Sequence, residues 1–240
     1  MDVRIAQCSS RGGRSYNEDS VRVLQRPNAS VVAVADGLGG HGGGDIASAI
    51  AADTMTELFA NEPIVNAEKL RAMFEEANTR ILREQTGFSK MRSTCVTLLL
   101  SDTIAAWGHA GDSRLYHFTD GNLAFQTADH SVSFLAYRSG EIAYAGIRFH
   151  EDRNKVLRAL GNEENIKPEI AGVELRRGFH AFLLCTDGLW EYVLETEMQA
   201  DLCKSKTPED WLSFMVARLS KRVNGRNDNF SAAAVFLIVP

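Results

Sequence analysis

Val31-Val32-Ala33-Val34-Ala35-Asp36-Gly37 and Ala181-Phe182-Leu183-Leu184-Cys185-Thr186-Asp187-Gly188 are the stretches on which the fold turns. Each is a short apolar run of strand length, and each ends in Asp-Gly. Such a run reads as a buried strand that delivers a carboxylate at its tip. The glycine that follows lets backbone approach closely, which suits a rigid metal or phosphate site. Asp-Gly is also ordinary turn chemistry, and a lone occurrence is read that way first. Two such ends in one chain weaken the turn reading.

Working outward, further β-branched segments at 21–24, 94–100, 104–109, 114–118, 123–127 and 232–239 join 30–35 and 181–186 as expected strands. Asp120-Gly121 between two of them predicts a hairpin, because Asp-Gly supplies the positive φ of a tight turn. Leu70, Met73, Phe74, Ala77, Ile81 and Leu82 recur at helical spacing. A second helix is expected from 208 to about 223, with Trp211, Leu212, Met215, Val216 and Leu219 on one face and Thr207-Pro208 opening it. A third is expected from 46 to about 59, after the glycine run. Strands, two helices, many strands, two helices and a last strand do not alternate as βαβ units. Antiparallel sheets with helices on their outer faces fit this order, and a doubly wound parallel sheet does not. Residues 131–170, with Gly140, Gly146, Gly161 and Pro168, read as a mostly irregular surface excursion. No internal repeat or low-complexity tract is visible.

The chain has 240 residues, 45% hydrophobic and 24% charged, with five prolines, which fits one ordinary globular domain over 1–240. Its formal net charge of −5 lacks the basic field that phosphate-backbone binding needs, so nucleic acid is not an expected partner. No run approaches the ~18 apolar residues of a membrane span. The first ten residues show no basic stretch followed by an apolar one, so no secretory signal is read. Cysteines 8, 95, 185 and 203 show no CxxC spacing. A reduced, cytoplasmic chain without disulfides is the expectation.

Asn17-Glu18-Asp19, Asp129-His130-Ser131 and Asp228-Asn229 are individually polar loops, turns or caps. Together Glu18, Asp36, Asp187 and Asp228 form a set of hard oxygen donors carrying four negative charges, matching two divalent cations. Carboxylate-rich sites of that kind select magnesium or manganese. Four converging buried carboxylates without countercharge would be very costly, so convergence would entail metal.

Seven segments, in order, resemble the metal-dependent Ser/Thr phosphatases of the PPM (protein phosphatase 2C) type in their compact bacterial form. They are Arg14-Ser15-Tyr16-Asn17-Glu18-Asp19, Asp36-Gly37-Leu38-Gly39-Gly40-His41-Gly42-Gly43-Gly44, Gly111-Asp112-Ser113-Arg114-Leu115-Tyr116, Asp129-His130-Ser131, Leu157-Arg158-Ala159-Leu160-Gly161, Cys185-Thr186-Asp187-Gly188-Leu189-Trp190-Glu191 and Asp228-Asn229-Phe230-Ser231. The resemblance implies an α+β fold, a four-layer α-β-β-α sandwich of two antiparallel sheets flanked by helices. It implies two Mg²⁺ or Mn²⁺ ions at one end, and a weaker third. Carried over position by position, Asp36 would bridge both metals and Asp187 and Asp228 would hold the first. Glu18 and the carbonyl of Gly37 would hold the second, and Asp129 with Asp187 the third. Arg14 matches the arginine that grips substrate phosphate, and His41 a histidine proposed as general acid. Asp19 would hydrogen-bond metal-bound water without itself touching the ions. Two departures stand out: Arg92 precedes Ser93-Thr94 where the family often has glycine, and the flap-like excursion at about 132–156 matches loosely beyond Ser139-Gly140-Glu141-Ile142.

The implied activity is direct hydrolysis of phosphoserine and phosphothreonine by a metal-bridging hydroxide, without a phosphoenzyme. General acid–base help supplies about 10²–10⁴-fold, too little alone for so slow an uncatalysed reaction. A metal pair that activates water and neutralises phosphoryl charge supplies more, and Arg14 adds a bidentate clamp. Phosphoproteins are the expected partners, among them a cognate bacterial Ser/Thr kinase, in signalling or secretion control. A monomer without membrane insertion is the default. Cys185 reads as an inert core thiol, His109 and His130 as structural histidines, and Arg114 as ion-paired with Asp112. Trp190 and Trp211 read as core. Two rival readings fit the residues less well. Gly37, Gly39 and Gly42 form GxGxxG, yet no acidic residue ends a second strand about 20 residues on, as a dinucleotide site needs. A catalytically inactive binding module of the same fold should have lost the carboxylates.

Overall fold

The computed structural model describes residues 2–39, 43–85 and 90–240. Strands β1 (Asp2–Ser10), β2 (Asp19–Gln25) and β3 (Ala29–Leu38) precede helices α1 (Gly44–Asn61) and α2 (Ala67–Glu84). Strands β4 (Arg92–Ser93), β5 (Cys95–Ser101), β6 (Ile104–Ala110), β7 (Arg114–Thr119) and β8 (Asn122–Gln126) follow. Helix α3 (Val132–Arg138) and a 3-10 turn (Tyr144–Phe149) lead to β9 (Glu169–Glu174) and β10 (Gly178–Cys185). Helices α4 (Asp187–Trp190), α5 (Glu195–Lys204) and α6 (Pro208–Arg222) then precede β11 (Phe230–Val239).

The strands form two sheets, ordered β1-β11-β10-β7-β8 and β2-β3-β5-β6-β9, with β4 attached to β3. Every pairing between them is antiparallel. Three hydrophobic cores separate four layers. Val31, Ala33 and Ala35 of β3 pack against Ala51, Met55, Leu70, Phe74 and Ile81 of α1 and α2. Ala181, Leu183 and Cys185 of β10 pack against Met198, Leu202, Trp211 and Met215 of α5 and α6. Between the sheets, Val32 and Val34 meet Phe182, Leu184, Ala233, Val235 and Leu237. Successive side chains of a strand point to opposite faces, so a central strand with a core on either side is apolar at every position. The chain thus has the expected α-β-β-α architecture.

Local signals act where expected. Asp120 and Gly121 adopt φ of 49° and 82°, joining β7 to β8 through a tight turn. The Thr207 hydroxyl accepts from Asp210 N–H at the start of α6, with Pro208 in the first turn. Helix α2 buries Leu70, Met73, Phe74, Ala77 and Ile81. The sequence reading missed β1 and β9. Both are edge strands, paired on one side only, β1 with a partner at the far end of the chain and β9 with only Ile170-Ala171-Gly172-Val173 between two glutamates, so their ladder comes from a distant partner. The supposedly irregular 131–170 region holds α3, capped by the Ser131 side chain, and the 3-10 turn.

Trp211 is fully buried, lies edge-on to Phe118 at 5.3 Å, and donates Nε1–H to the Met198 carbonyl at 2.8 Å. Replacing it with alanine should lower the free energy of unfolding by about 3–5 kcal/mol. Urea unfolding should show the loss as a lower midpoint with an unchanged slope.

Candidate active site

Strand β3 ends at the same edge of the sandwich as the β10–α4 junction, so its carboxylate faces one delivered by the other sheet. Asp36, Asp187, Glu18, Asp112 and Asp228 line one cleft of about 160 Å³, together with Arg14, Gly37, Asn154 and Val156. Asp19 lies opposite Asp36 in the β2–β3 register. Cross-strand partners project to the same side of a sheet, which brings these two carboxyls together.

The backbones that carry the acids are held tightly. Asp36 N–H donates to Thr94 Oγ1 at 3.1 Å, and its carbonyl accepts from Ser93 Oγ at 3.0 Å and Thr94 N–H at 2.9 Å. Thr94 Oγ1 also meets Ser113 Oγ at 2.7 Å, tying β3 to the turn that bears Asp112. Asn229 gathers the 11–18 loop: its Oδ1 accepts from Glu18 N–H at 2.8 Å and its Nδ2 donates to the carbonyls of Arg11 and Tyr16 at 2.9 Å. A Cβ on Gly37 would sit 2.1 Å from the Gly44 carbonyl oxygen, and one on Gly188 would sit 1.9 Å from that of Asn229. Glycine is required at both Asp-Gly ends by backbone approach rather than by turn conformation.

The electrostatics are one-sided. Burial, then the neighbouring carboxylates Asp19 and Asp187, raise the Asp36 carboxyl well above its ordinary value. Burial, then Asp112, Glu191 and Asp228, do the same to Asp187. Burial is the main cause that pushes Asp19 and Asp112 up to about 7. Glu18 is raised by burial and by Asp45 and Asp228, against the opposing pull of Arg14. Glu18 Oε1 and Asp19 Oδ1 are buried with no hydrogen-bond partner among the described residues. Orphaned acceptors among mutually repelling hard oxygens fit magnesium or manganese, whose charge would reverse every one of these shifts. Arg14 is the cation at the cleft, bound to Asp228 at 2.6 Å. Both partners are substantially exposed, so the pair is worth only about 0–1 kcal/mol and is readily exchanged for a phosphate.

The structure brings Glu18, Asp36, Gly37, Asp187, Asp228 and Arg14 to the cleft, with Asp19 beside Asp36. His41 lies outside the described residues. Asp129 is a correction: both its oxygens are taken by Arg114, whose Nε and NH2 each donate at 2.7 Å. Arg114 therefore pairs with Asp129, not Asp112. The cause is the run of 127–129 beside the start of β7, where Thr127 N–H donates to the Leu115 carbonyl at 3.0 Å. Asp112, 3% exposed, is the acidic residue that lines the cleft instead. Its signal was present in Gly111-Asp112-Ser113-Arg114, an acid at a strand-joining turn. His109, His130 and Glu169 offer donor atoms within 4.8 Å of one another. The two imidazoles, however, stack 4.5 Å apart and 4° from parallel. Lone pairs lying in parallel planes do not converge on one ion, so this pair is structural.

An acidic, glycine-floored cleft at the mouth of a double sandwich, with one arginine at its rim, defines a metal-dependent site for a phosphoryl group. Comparisons with known proteins agree. The family model described as protein phosphatase 2C matches residues 8–230. A serine/threonine phosphatase of Listeria welshimeri is 33% identical over 202 residues, covering 80% of this chain and 79% of that protein. The solved catalytic domain of the serine/threonine phosphatase PstP, in complex with two manganese ions, superposes with a TM-score of 0.83 at 28% identity, covering 98% of each chain. PppA, described as a key regulatory component of T6SS in Pseudomonas aeruginosa, superposes with a TM-score of 0.79 at 31% identity, covering 97% of this chain and 96% of that one. This chain belongs to the protein phosphatase 2C family.

The acidic cleft makes stability depend on pH in a defined sense. Asp19 and Asp112 titrate near 7 in the folded chain, against an ordinary value near 4 when unfolded. They add stability that is complete below the unfolded value and lost as pH rises through the folded one. The metal-free protein should therefore melt lower at pH 8 than at pH 6. Mn²⁺ should raise its melting temperature more at pH 8, and Asp112→Asn should raise the metal-free melting temperature at pH 8. Differential scanning fluorimetry checks all three.

Proposed function

We propose that this chain is a phosphoserine/phosphothreonine phosphatase that works by direct hydrolysis at a two-cation centre. One catalytic domain spans 1–240, with residues 132–156 forming a flap beside the cleft. The observation that carries this reading is the cluster of five carboxylates, Asp36, Asp187, Asp112, Glu18 and Asp228, around a cleft whose lining offers only the Arg14 guanidinium against them among the described residues. Asp36, Asp187 and Asp228 would hold one cation, and Asp36, Glu18 and the Gly37 carbonyl a second. Asp112 replaces Asp129 as the partner of Asp187 at any weaker third position. Cations so held lower the pKa of bound water toward neutrality and neutralise charge on phosphoryl oxygens.

The chain's own residues supply the rest. The Arg14 guanidinium, released from Asp228, presents a planar pair of N–H donors to the phosphate oxygens. Asp19 accepts the Thr186 hydroxyl on Oδ2 at 3.0 Å, which leaves its buried Oδ1 without a partner among the described residues. That unpaired oxygen would hydrogen-bond water at the centre without Asp19 itself touching the cations. None of the three thiols that burial affects competes as nucleophile, because burial pushes Cys8 up to about 11 and Cys95 up to about 12 and raises Cys185 further.

Phosphorylated proteins are the substrates we infer, produced by a Ser/Thr kinase whose action this enzyme reverses. The regulatory role in T6SS described for the Pseudomonas aeruginosa relative supports a regulatory setting of this kind. We read the protein as a cytoplasmic monomer; among the described residues no helix is long and apolar enough to cross a membrane.

Purified protein with Mn²⁺ should hydrolyse p-nitrophenyl phosphate and a phosphothreonine peptide. Asp187→Asn removes a ligand charge without removing core volume, so it should lower kcat at saturating Mn²⁺ by at least about 10²-fold while circular dichroism stays unchanged. More than a tenth of wild-type turnover in that variant would refute the assignment. Arg14→Ala should act mainly by raising KM for both substrates.

A further inference from the structure

Four polar hydrogens converge on one carboxylate oxygen that the hydrolytic centre does not use. Glu195 Oε1 accepts from Arg148 NH2 at 2.8 Å and from the Tyr144 hydroxyl at 3.1 Å. The Tyr116 hydroxyl and Arg114 NH1 approach it at 3.5 Å. Glu195 opens α5, where the helix N-terminus favours negative charge. Burial alone would raise its carboxyl, but Arg148 and Arg114 outweigh burial and hold it below the usual range.

Arg148 belongs to the 3-10 turn of the flap and is 5% exposed. Besides Glu195 it reaches only inward, donating Nε–H to the Trp190 carbonyl at 3.0 Å. Trp190 closes α4, the helix that begins at Asp187, and its Nε1–H donates to the Asp112 carbonyl at 2.9 Å. The same flap runs on to Asn154 and Val156, which line the acidic cleft. There Val132 N–H donates to the Lys155 carbonyl at 3.0 Å and Leu157 N–H to the His130 carbonyl at 2.7 Å. A second ion pair, Arg153 to Glu191 at 3.0 Å, also ties the flap down, but its arginine is 37% exposed and contributes less. Arg148 therefore has one charged partner, and a buried guanidinium without its partner is strongly unfavourable.

We infer that Glu195 is a positioning residue, which pins flap residues 144–156 over the acidic cleft through Arg148 and so sets how a phosphopeptide enters. The inference rests on the phosphatase reading above. Arg114 keeps both strong bonds to Asp129 when Glu195 is neutralised, so the turn bearing Asp112 stays in place. Loss of the Glu195 charge frees the flap and spares the centre. A small phosphate ester needs only the centre, whereas a peptide must also be held by the wall beside it.

The test compares wild type, Glu195→Gln, Arg148→Gln and the double variant, each loaded with Mn²⁺. Hydrogen exchange should accelerate about tenfold or more across 144–156 in both single variants, with α6 unchanged, as expected of a locally released segment. The peptide kcat/KM should fall about tenfold through KM while kcat on p-nitrophenyl phosphate stays within about twofold, and the double variant should be no worse than either single one. Unchanged flap exchange, equal kcat losses on both substrates, or additive losses in the double variant would each overturn the role of Glu195. Exchange is read without turnover. If the flap loosens as expected but the wild type hydrolyses neither substrate, the phosphatase reading falls and the latch stands.

Discussion

Like charges held at close quarters are the constraint on which this molecule depends. Asp36, Asp187 and Asp112 are forced together by strands and turns that cannot separate, and Asp19, Glu18 and Asp228 add to the field. Isolated carboxylates would relax away from one another or take up protons. Here the backbone of Asp36 is locked between Asp19 of β2 on one side and Ser93 and Thr94 on the other, so relaxation is blocked. The remaining ways to relieve the repulsion are protonation and the binding of cations. A site of this kind stores electrostatic cost in the metal-free chain and releases it as affinity for divalent ions.

The double sandwich is what makes such crowding possible. Each sheet sends one apolar strand toward the same end, β3 from one and β10 from the other, with a core on each face of both. Burial on both faces leaves these strands no freedom to slide, because a one-residue slip would exchange the two faces. The glycines after Asp36 and Asp187 then let α1 and the β11 entry come within van der Waals contact of the acidic backbone.

Beside the cleft lies a second charged network with the opposite character. Arg114 and Arg148 are buried against Asp129 and Glu195, two cations for two anions, and Trp190 has the Arg114 guanidinium 3.5 Å above its ring. That network is neutral in itself and calls for no ion. The contrast explains why Asp129, an acid at a strand end like the others, is structural while Asp112 belongs to the cleft: one has a guanidinium within reach and the other has further carboxylates.

The apolar runs 31–35, 181–186 and 232–239, the helical spacing of 70–81 and the Asp-Gly and Thr-Pro signals were local, and local signals survive in one dimension. From them came the antiparallel layered class, the hairpin and three of the helices; the seven motifs added the family. Edge strands β1 and β9 and the short flap elements were not legible, because their order depends on partners far away in the chain. The same limit governs the site. Residue type alone marked Glu18, Asp36, Asp187 and Asp228 as hard oxygen donors, and the family resemblance added Arg14 as a phosphate clamp. Only the tertiary structure could sort Asp112 from Asp129 or show Glu195 shared between a flap arginine and a core arginine. A carboxylate's chemistry is set by the sign of its neighbours, and those neighbours come from across the fold.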